Sequence, residues 1–153
     1  MPSFRNERRV RHGSEQMFDL VADVERYPEF VPLCTSMRVR SRRPDGPGRD
    51  TLIAEMSVGY KMIRETFTSR VQLDKPRLRV VVEYIDGPFS HLENIWTFRD
   101  EPDPGRSIVT FFIDYEFRSR TLGALMGSMF DAAFRKFAQA FEERADKLYT
   151  SPA

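Results

Sequence analysis

The chain has 153 residues, a formal net charge of +1 and 31% charged residues. Its length allows one domain with a sizeable core, so we expect a single domain over residues 1–153. A net charge so close to zero excludes a strong overall electrostatic potential that would attract nucleic acid or anionic membranes. The single cysteine, Cys34, excludes an internal disulfide and a multi-cysteine zinc site. With no apolar run near the ~20 residues that span a bilayer, and no visible signal peptide, we expect a cytoplasmic protein.

The first third of the chain predicts one strand followed by two short helices. Residues 4–12 alternate loosely between apolar and polar types, which is typical of a strand. Ser14 is the predicted N-cap of an amphipathic helix. Asp23 is the predicted cap of a second, very short helix that stops near Tyr27, because Pro28 disfavours helical geometry in the residue before it. Pro28 itself can open one further turn.

The hydrophobic period changes to two between Met37 and Phe117. Clusters of Pro, Gly and Asp divide this segment into six strands, most clearly at residues 44–48, 86–88 and 102–105. Alternating strands joined by short polar turns indicate an antiparallel meander.

The last predicted element is a long amphipathic helix, roughly Arg120 to Tyr149. Its apolar residues, several phenylalanines among them, recur at three- and four-residue steps and so share one stripe. Gly123 and Gly127 in its first half each cost about 1 kcal/mol relative to Ala, which indicates either room for a ligand or close packing on a strand. Strands followed by one large helix predict an α+β domain whose sheet curls around that helix.

Five short motifs, taken together at their spacing, resemble a known family. They are residues 27–34, residues 86–89, Leu92 with Trp96 and Phe98, residues 117–119 and residues 140–145. The chain is similar to the coenzyme Q-binding family of START-like, helix-grip proteins. That group shares a family with the bacterial ribosome-association toxin and is often labelled polyketide cyclase/dehydrase. Leu33 departs from the pattern, since the quinone-binding branch usually has Trp there and the toxin branch often Gly.

The resemblance implies a curved antiparallel sheet of about seven strands around the C-terminal helix, with a deep apolar cavity that holds a lipid. It implies non-enzymatic binding of ubiquinone in support of respiratory electron transport, with ubiquinone as a bound ligand rather than a catalytic cofactor. It places the protein in the cytoplasm or at the periphery of the inner membrane. The alternative is the toxin function, in which the protein binds the large ribosomal subunit and blocks subunit joining.

The residues that share the inward face of the strands and the helix stripe are the predicted ligand-binding set. Periodicity alone leaves open whether they line a cavity or pack as a solid core, and the resemblance favours the cavity. With the aromatic corner before the second strand included, the set is Tyr27, Phe30, Val31, Leu33, Met56, Phe67, Val82, Tyr84, Leu92, Asn94, Trp96, Phe111, Ile113, Tyr115, Phe130, Phe134 and Phe137.

Three polar side chains in this set are candidates for orienting a ligand. Asn94, Tyr84 and Tyr115 lie on otherwise apolar strand faces, and buried polar groups need partners. Neutral donors in an apolar pocket suit the carbonyl oxygens of a quinone. Hydrogen bonds to neighbouring backbone or water are the equal alternative.

Other features have weaker functional interpretations. The segment 27–33 either contacts a membrane surface or forms a rigid corner. Two arginine runs, residues 5–11 and 38–43, are expected on neighbouring strands, where they meet anionic lipid or RNA phosphates or simply form solvated faces. His91 has Glu93 on its own strand face, but no nucleophile signature accompanies this pair, so we predict no enzymatic activity and no metal site. Cys34 is expected to be a buried small hydrophobe.

Overall fold

The computed structural model of the chain describes residues 3–60 and 62–149, and these form the predicted elements in the predicted order. The ends of the predicted domain, residues 1–2 and 150–153, lie outside this part of the chain. The elements are β1 (Ser3–Val10), α1 (Ser14–Ala22), a 3-10 helix (Val24–Glu29), β2 (Cys34–Gly46), β3 (Arg49–Tyr60), β4 (Ile63–Asp74), β5 (Arg79–Asp86), β6 (Phe89–Asp100), β7 (Ser107–Phe117) and α2 (Arg120–Leu148).

The seven strands form one antiparallel sheet in the order β1-β7-β6-β5-β4-β3-β2, and the predicted α+β architecture is confirmed. Consecutive strands from β2 to β7 pair as hairpins, whereas β1 pairs with β7 from Ser3↔Asp114 to Val10↔Ser107. Strands β1 and β2 are therefore the two edges of the sheet, and the pairing of β2 with β3 shifts register at three points. The expectation that the two arginine runs lie on neighbouring strands is wrong, because α1 and the 3-10 helix carry the chain from one edge to the other.

The two short helices are present, with boundaries that differ from the sequence prediction. The N-cap of α1 is Gly13, not Ser14, and the Gln16 side chain accepts a hydrogen bond from the Gly13 amide at 3.0 Å. The Ser14 amide instead donates to the Asp100 carboxylate at 3.0 Å, which ties the start of α1 to the end of β6. The 3-10 helix runs through Pro28, so the separate turn predicted there is the last turn of the same helix.

Helix α2 lies against the concave face of the sheet and buries its aromatic stripe there. Ser119 caps it by accepting a hydrogen bond from the Leu122 amide at 3.0 Å. Phe141 is 1% exposed and packs edge-on against Tyr27, Phe30 and Trp96. Burial of an aromatic or large aliphatic side chain contributes about 1.5–3 kcal/mol, so this stripe is a main source of the stability of the fold.

Ionic contacts hold only the C-terminal half of α2 to the rest of the molecule. Glu142 pairs with Arg8 on β1, Asp146 with His12 at 2.6 Å, and Arg144 with Glu29 of the 3-10 helix. Within the described residues, positions 120–134 make no ion pair to the sheet. The helix is thus anchored at its far end, and its first half depends on apolar contacts alone.

We expect the glycines near the start of α2 to be replaceable. A methyl group at Gly127 would meet no atom within 4 Å, so the glycine is not needed for close packing. Gly127→Ala should raise the free energy of unfolding by about 1 kcal/mol, because Ala has the higher helix propensity. Urea unfolding followed by circular dichroism measures this change.

Gly87 provides the matched control. It has φ +144, and a Cβ there would lie 2.5 Å from the Cβ of Phe67. Gly87→Ala should therefore lower the free energy of unfolding by about 1–3 kcal/mol. A loss of stability in Gly127→Ala would contradict the loose packing of the first half of α2.

Candidate functional site

An apolar cavity of about 70 Å³ lies between α2 and the strands from β2 to β7. Most of the predicted ligand-binding residues contribute to its wall. They are Tyr27, Leu33, Met56, Phe67, Val82, Leu92, Asn94, Trp96, Ile113, Phe130, Phe134 and Phe137. The wall therefore joins the corner before β2, the middle of the sheet and the centre of α2.

The remaining predicted residues lie outside the cavity wall. Phe111 is fully buried between Phe4, Trp96 and Phe137. Tyr115 is 3% exposed and packs edge-on against Phe134. Aromatic side chains thus fill much of the space beneath α2 on the β7 side, where Ile113 is the β7 residue that reaches the cavity wall.

The other three predicted residues outside the wall, Phe30, Val31 and Tyr84, lie at the two ends of the site. The Tyr84 hydroxyl accepts a hydrogen bond from the Phe89 amide at 3.1 Å. Phe30 packs on Phe141, and the Arg144 guanidinium lies 5.1 Å from its ring centroid. Val31 is 5% exposed. The corner at residues 27–33 is consequently packed against α2 rather than presented to solvent.

Several wall residues were absent from the predicted set: Val24, Pro32, Met37, Ala54, Val58, Ser69, Val71, Ala133 and Phe141. The alternation of inward and outward residues along the strands indicates that many of them face the cavity. Ala54 and Val58 share the inward parity of Met56, and Ser69 and Val71 share that of Phe67. Ala133 is one helical turn from Phe137. The cavity wall therefore includes small and polar residues at inward positions as well as large apolar ones.

The wall contains no charged side chain among the described residues, and its polar groups are few. The Asn94 amide nitrogen donates to the Phe112 carbonyl at 2.8 Å, and its amide oxygen accepts from the Trp96 indole at 3.0 Å. The Tyr27 hydroxyl donates to the Val21 carbonyl, and burial raises the pKa of Tyr27 far above its ordinary value. A wall of this kind favours a neutral, apolar ligand.

The Ser69 hydroxyl is the exception among these polar groups. Ser69 is 5% exposed and lines the cavity, and its side chain makes no hydrogen bond within the described part of the chain. A hydroxyl in that setting is a donor available to a ligand oxygen.

The cavity is narrower than a lipid site must be when occupied. About 10–15 Å³ is needed for one water, whereas ligand sites commonly reach about 300–1,000 Å³. The wall on one side includes Met37 and Met56, whose unbranched side chains change rotamer readily. A ligand larger than the present cavity therefore requires these side chains, and the first half of α2, to move outward.

The titratable groups considered for catalysis lie away from the cavity. His91 is on the outer face of β6, where it pairs with Asp114 at 3.1 Å rather than with Glu93. His12 is buried beside Asp146 at the end of α2. Within residues 3–60 and 62–149, no three side chains of the metal-ligating types come together.

Cys34 is buried and unreactive in character. It is 7% exposed, and its thiol donates to the Ser36 carbonyl at 3.6 Å. Burial raises the pKa of the thiol from its ordinary value of 9.0 to about 11, because the thiolate would be poorly solvated. This agrees with the expectation of a small buried hydrophobe.

The arginine runs are largely neutralised by ion pairs. Arg9 pairs with Glu101 at 3.3 Å on the β1 edge. Arg40 pairs with Glu55 at 2.8 Å on the β2 edge. The exposed arginines of these runs that make no ion pair in the described residues are Arg5, Arg11 and Arg38. In the same part of the chain, neither helix combines the length and the apolar character that crossing a bilayer requires.

Residues 10–142 match the family described as polyketide cyclase/dehydrase and lipid transport. The ribosome association toxin RatA of Escherichia coli is 31% identical over 151 residues, which cover 99% of this chain and 91% of the toxin. The mitochondrial coenzyme Q-binding protein COQ10 homolog B of Xenopus laevis is 32% identical over 138 residues, which cover 88% of this chain and 54% of that protein.

Solved structures support the same placement. An 18 kDa protein of Caulobacter crescentus has 36% sequence identity and a TM-score of 0.77, covering 97% of this chain and 99% of its own. A START superfamily protein of Mycobacterium smegmatis has 18% identity, a TM-score of 0.77, and covers 95% and 98% of the two chains. The latter likeness concerns the fold alone. The START-like, helix-grip prediction is confirmed.

The raised pKa of Cys34 predicts an unusual pH profile for alkylation. In the folded protein, the rate of reaction with iodoacetamide should keep rising until pH is about 11, because only the thiolate reacts. In urea, the same rate should level off near pH 9. The contribution of the neutral thiol to stability is fully present below pH 9 and is lost as pH rises toward 11. A folded-state rate that levels off near pH 9 would contradict the buried environment.

Proposed function

The chain belongs to the polyketide cyclase/dehydrase and lipid transport family, and from this we propose that it is a non-enzymatic binding protein for ubiquinone or a similar prenylated lipid. The bound lipid lies in the cavity beneath α2 and serves respiratory electron transport. The observation that carries the proposal is the cavity wall, which is apolar, uncharged and continuous from β2 to α2.

The chemistry of the wall suits a prenylated quinone. Each methylene of a buried tail contributes about 0.8 kcal/mol when it leaves water. The quinone ring has neutral carbonyl oxygens and needs few donors. We place one carbonyl at the Ser69 hydroxyl, since the Asn94 amide and the Tyr27 hydroxyl already bond to the protein. The tail then runs past Met37 and Met56 toward Leu33.

The absence of enzymatic activity belongs to the same proposal. A cyclase or dehydratase needs an acid or base at the reacting atoms. The cavity wall offers neutral hydroxyl, amide and aromatic groups, while His91 with Asp114 lies on the outer face of the sheet. The COQ10 relative, named for coenzyme Q binding, supports a binding role. We also propose that the protein works in the cytoplasm, at the periphery of the membrane that contains the quinone.

Filling the cavity should abolish quinone binding. Ala133 is 6% exposed and lines the wall, whereas Ala132, its neighbour on α2, is exposed. We expect Ala133→Leu to weaken ubiquinone binding at least tenfold, about 1.4 kcal/mol, because the added carbons occupy the space of the ring. Ala132→Leu is the matched control and should bind normally. The protein's single tryptophan, Trp96, lies in the wall and reports binding by quenching of its fluorescence.

Ser69→Ala removes the proposed donor without adding volume and should weaken binding about fivefold. Circular dichroism establishes that each variant is folded. Organic extraction of natively purified protein, followed by mass spectrometry, should yield a prenylquinone. The proposal fails if extraction yields none and added ubiquinone leaves Trp96 fluorescence unchanged.

A second function, association with the large ribosomal subunit, is favoured by one observation. The RatA relative aligns over 91% of its length, so the likeness extends through the whole toxin. The exposed arginines without an ion pair in the described residues, Arg5 and Arg11 on or beside β1, are the groups proposed to contact ribosomal RNA phosphates.

Co-sedimentation with purified large ribosomal subunits tests this second function. Arg5→Gln with Arg11→Gln should weaken association and reduce the log–log salt slope by about 1.5–2, because two phosphate contacts are lost. Arg99→Gln is the control, since Arg99 is equally exposed but pairs with Glu7 at 3.3 Å. If the unmodified protein stays in the supernatant at low salt, the ribosomal function is excluded.

A further inference from the structure

Exposed apolar side chains gather at one end of the molecule. Among the described residues, the large apolar side chains most exposed to solvent are Met62 at 95%, Leu125 at 61%, Leu148 at 53%, Tyr60 at 46% and Ile85 at 45%. All except Leu148 lie at the end of the sheet where α2 begins, because β3, β5 and β7 all end there. Large apolar side chains exposed at the same end of a molecule indicate an interaction surface there.

This apolar rim, made by Tyr60, Met62, Ile85 and Leu125, borders the cavity. Val58 lines the cavity, and Tyr60 follows it by two residues on β3. Leu33, another wall residue, accepts a hydrogen bond from the Gly59 amide at 3.0 Å, so the corner before β2 adjoins the same hairpin. On α2, Leu125 precedes the wall residue Phe130 by little more than one turn.

Positive charge accompanies the rim. Arg64, Arg118 and Arg120 are exposed there, and the first turn of α2 contains no acidic residue. A helix N-terminus carries a positive partial charge, which a carboxylate would stabilise. Arg120 instead places a second positive charge at this position, and the two repel each other. Of the three arginines, only Arg118 approaches a carboxylate in the described residues, Asp86 at 3.9 Å. An anionic partner at this end would offset the repulsion.

A groove beside the rim leaves space for such a partner. It has a volume of about 530 Å³ and is lined by Phe117, Arg118, Arg120 and Gly127, and also by two carboxylates, Glu116 and Asp131. The Asp131 carboxylate is paired with Arg135 at 3.0 Å. The glycine opens the side of α2 toward this groove, since a Cβ there would meet nothing within 4 Å. Apolar side chains next to arginines and an open groove match the layered chemistry of a bilayer interface, in which acyl chains lie below phosphate groups.

We propose that the apolar rim is a membrane-docking surface for a bilayer with anionic headgroups. Met62 and Leu125 enter the boundary between headgroups and acyl chains, while Arg64, Arg118 and Arg120 contact lipid phosphates. Docking turns the first half of α2, which has no ion pair to the sheet among the described residues, toward the bilayer, which is where the cavity must open. The inference rests on the proposed function for its purpose, since a quinone carrier must meet the membrane that holds its ligand.

Vesicle co-sedimentation of the full chain tests the docking surface. The protein should bind vesicles of phosphatidylcholine mixed with phosphatidylglycerol, more weakly at high salt. Met62→Asp with Leu125→Asp should reduce partitioning about a hundredfold, because two apolar side chains no longer enter the interface. Leu148→Asp is the matched control, since Leu148 is also exposed on α2 but lies at the opposite end, and it should bind like the unmodified protein.

Arg64→Gln with Arg120→Gln isolates the electrostatic part of the surface. Each lost charge should weaken binding to phosphatidylglycerol-containing vesicles about fivefold, with little effect on pure phosphatidylcholine. These side chains are exposed, so circular dichroism and thermal unfolding should match the unmodified protein.

Failure of docking and failure of quinone binding are distinguishable. Ubiquinone supplied in detergent micelles should quench Trp96 equally in the unmodified protein and in Met62→Asp with Leu125→Asp. If that double variant sediments with vesicles as well as the unmodified protein does, the docking surface is wrong even when quinone binding holds. A rim that instead joins two copies of the chain, seen as a dimer that the double variant disrupts without vesicle binding, would also overturn the proposal.

Discussion

The structure depends on how one aromatic stripe is covered. The phenylalanines of α2 must leave water, and they pack on the concave face of the sheet and, at Phe141, on the corner before β2. On the β7 side, Phe111, Tyr115 and Phe117 meet them ring against ring and leave no space. On the side of β2 to β4, the cavity wall includes smaller or unbranched side chains, as at Ala54, Met56 and Ser69. The cavity exists because the two halves of the sheet cover the same helix with side chains of different size.

The anchoring of α2 has the same asymmetry along its length. Glu142, Arg144 and Asp146 bind its second half to β1, to the 3-10 helix and to His12. The first half has two glycines, no acidic residue in its first turn and, among the described residues, no ion pair to the sheet. The ion pairs between α2 and the rest of the molecule thus lie at the end away from the rim, whereas the first half is held by buried side chains such as Met126 and Phe130. Movement at the start of the helix can enlarge the cavity without breaking those ion pairs.

Much of this arrangement could be predicted from the sequence, because it follows from periodicity. The change from a period of two to the helical period at Arg120 identified the sheet, the helix and their facing sides. Residues such as Met56, Trp96 and Phe134 were assigned to the correct face for that reason. Boundaries were less accurate. Gly13 caps α1 although it has no side chain, because the Gln16 side chain bonds to its amide, and sequence preference alone favours Ser14.

Other features depend on pairings between distant parts of the chain. No local sequence pattern indicates that β1 pairs with β7. The relative position of the two arginine runs therefore could not be predicted from their similar composition. Periodicity also places Phe111 and Ile113 on one face without saying that the first is packed solid and the second borders a cavity. Parity along one strand predicts Glu93 as the partner of His91, whereas the nearer carboxylate, Asp114, comes from the next strand.

The shifted register of β2 affects how the edge of the sheet can pair with other proteins in a cell. An exposed strand with three shifts in its ladder and several arginines is a poor template for another strand, so this edge of the sheet resists the edge-to-edge pairing that leads to fibrils.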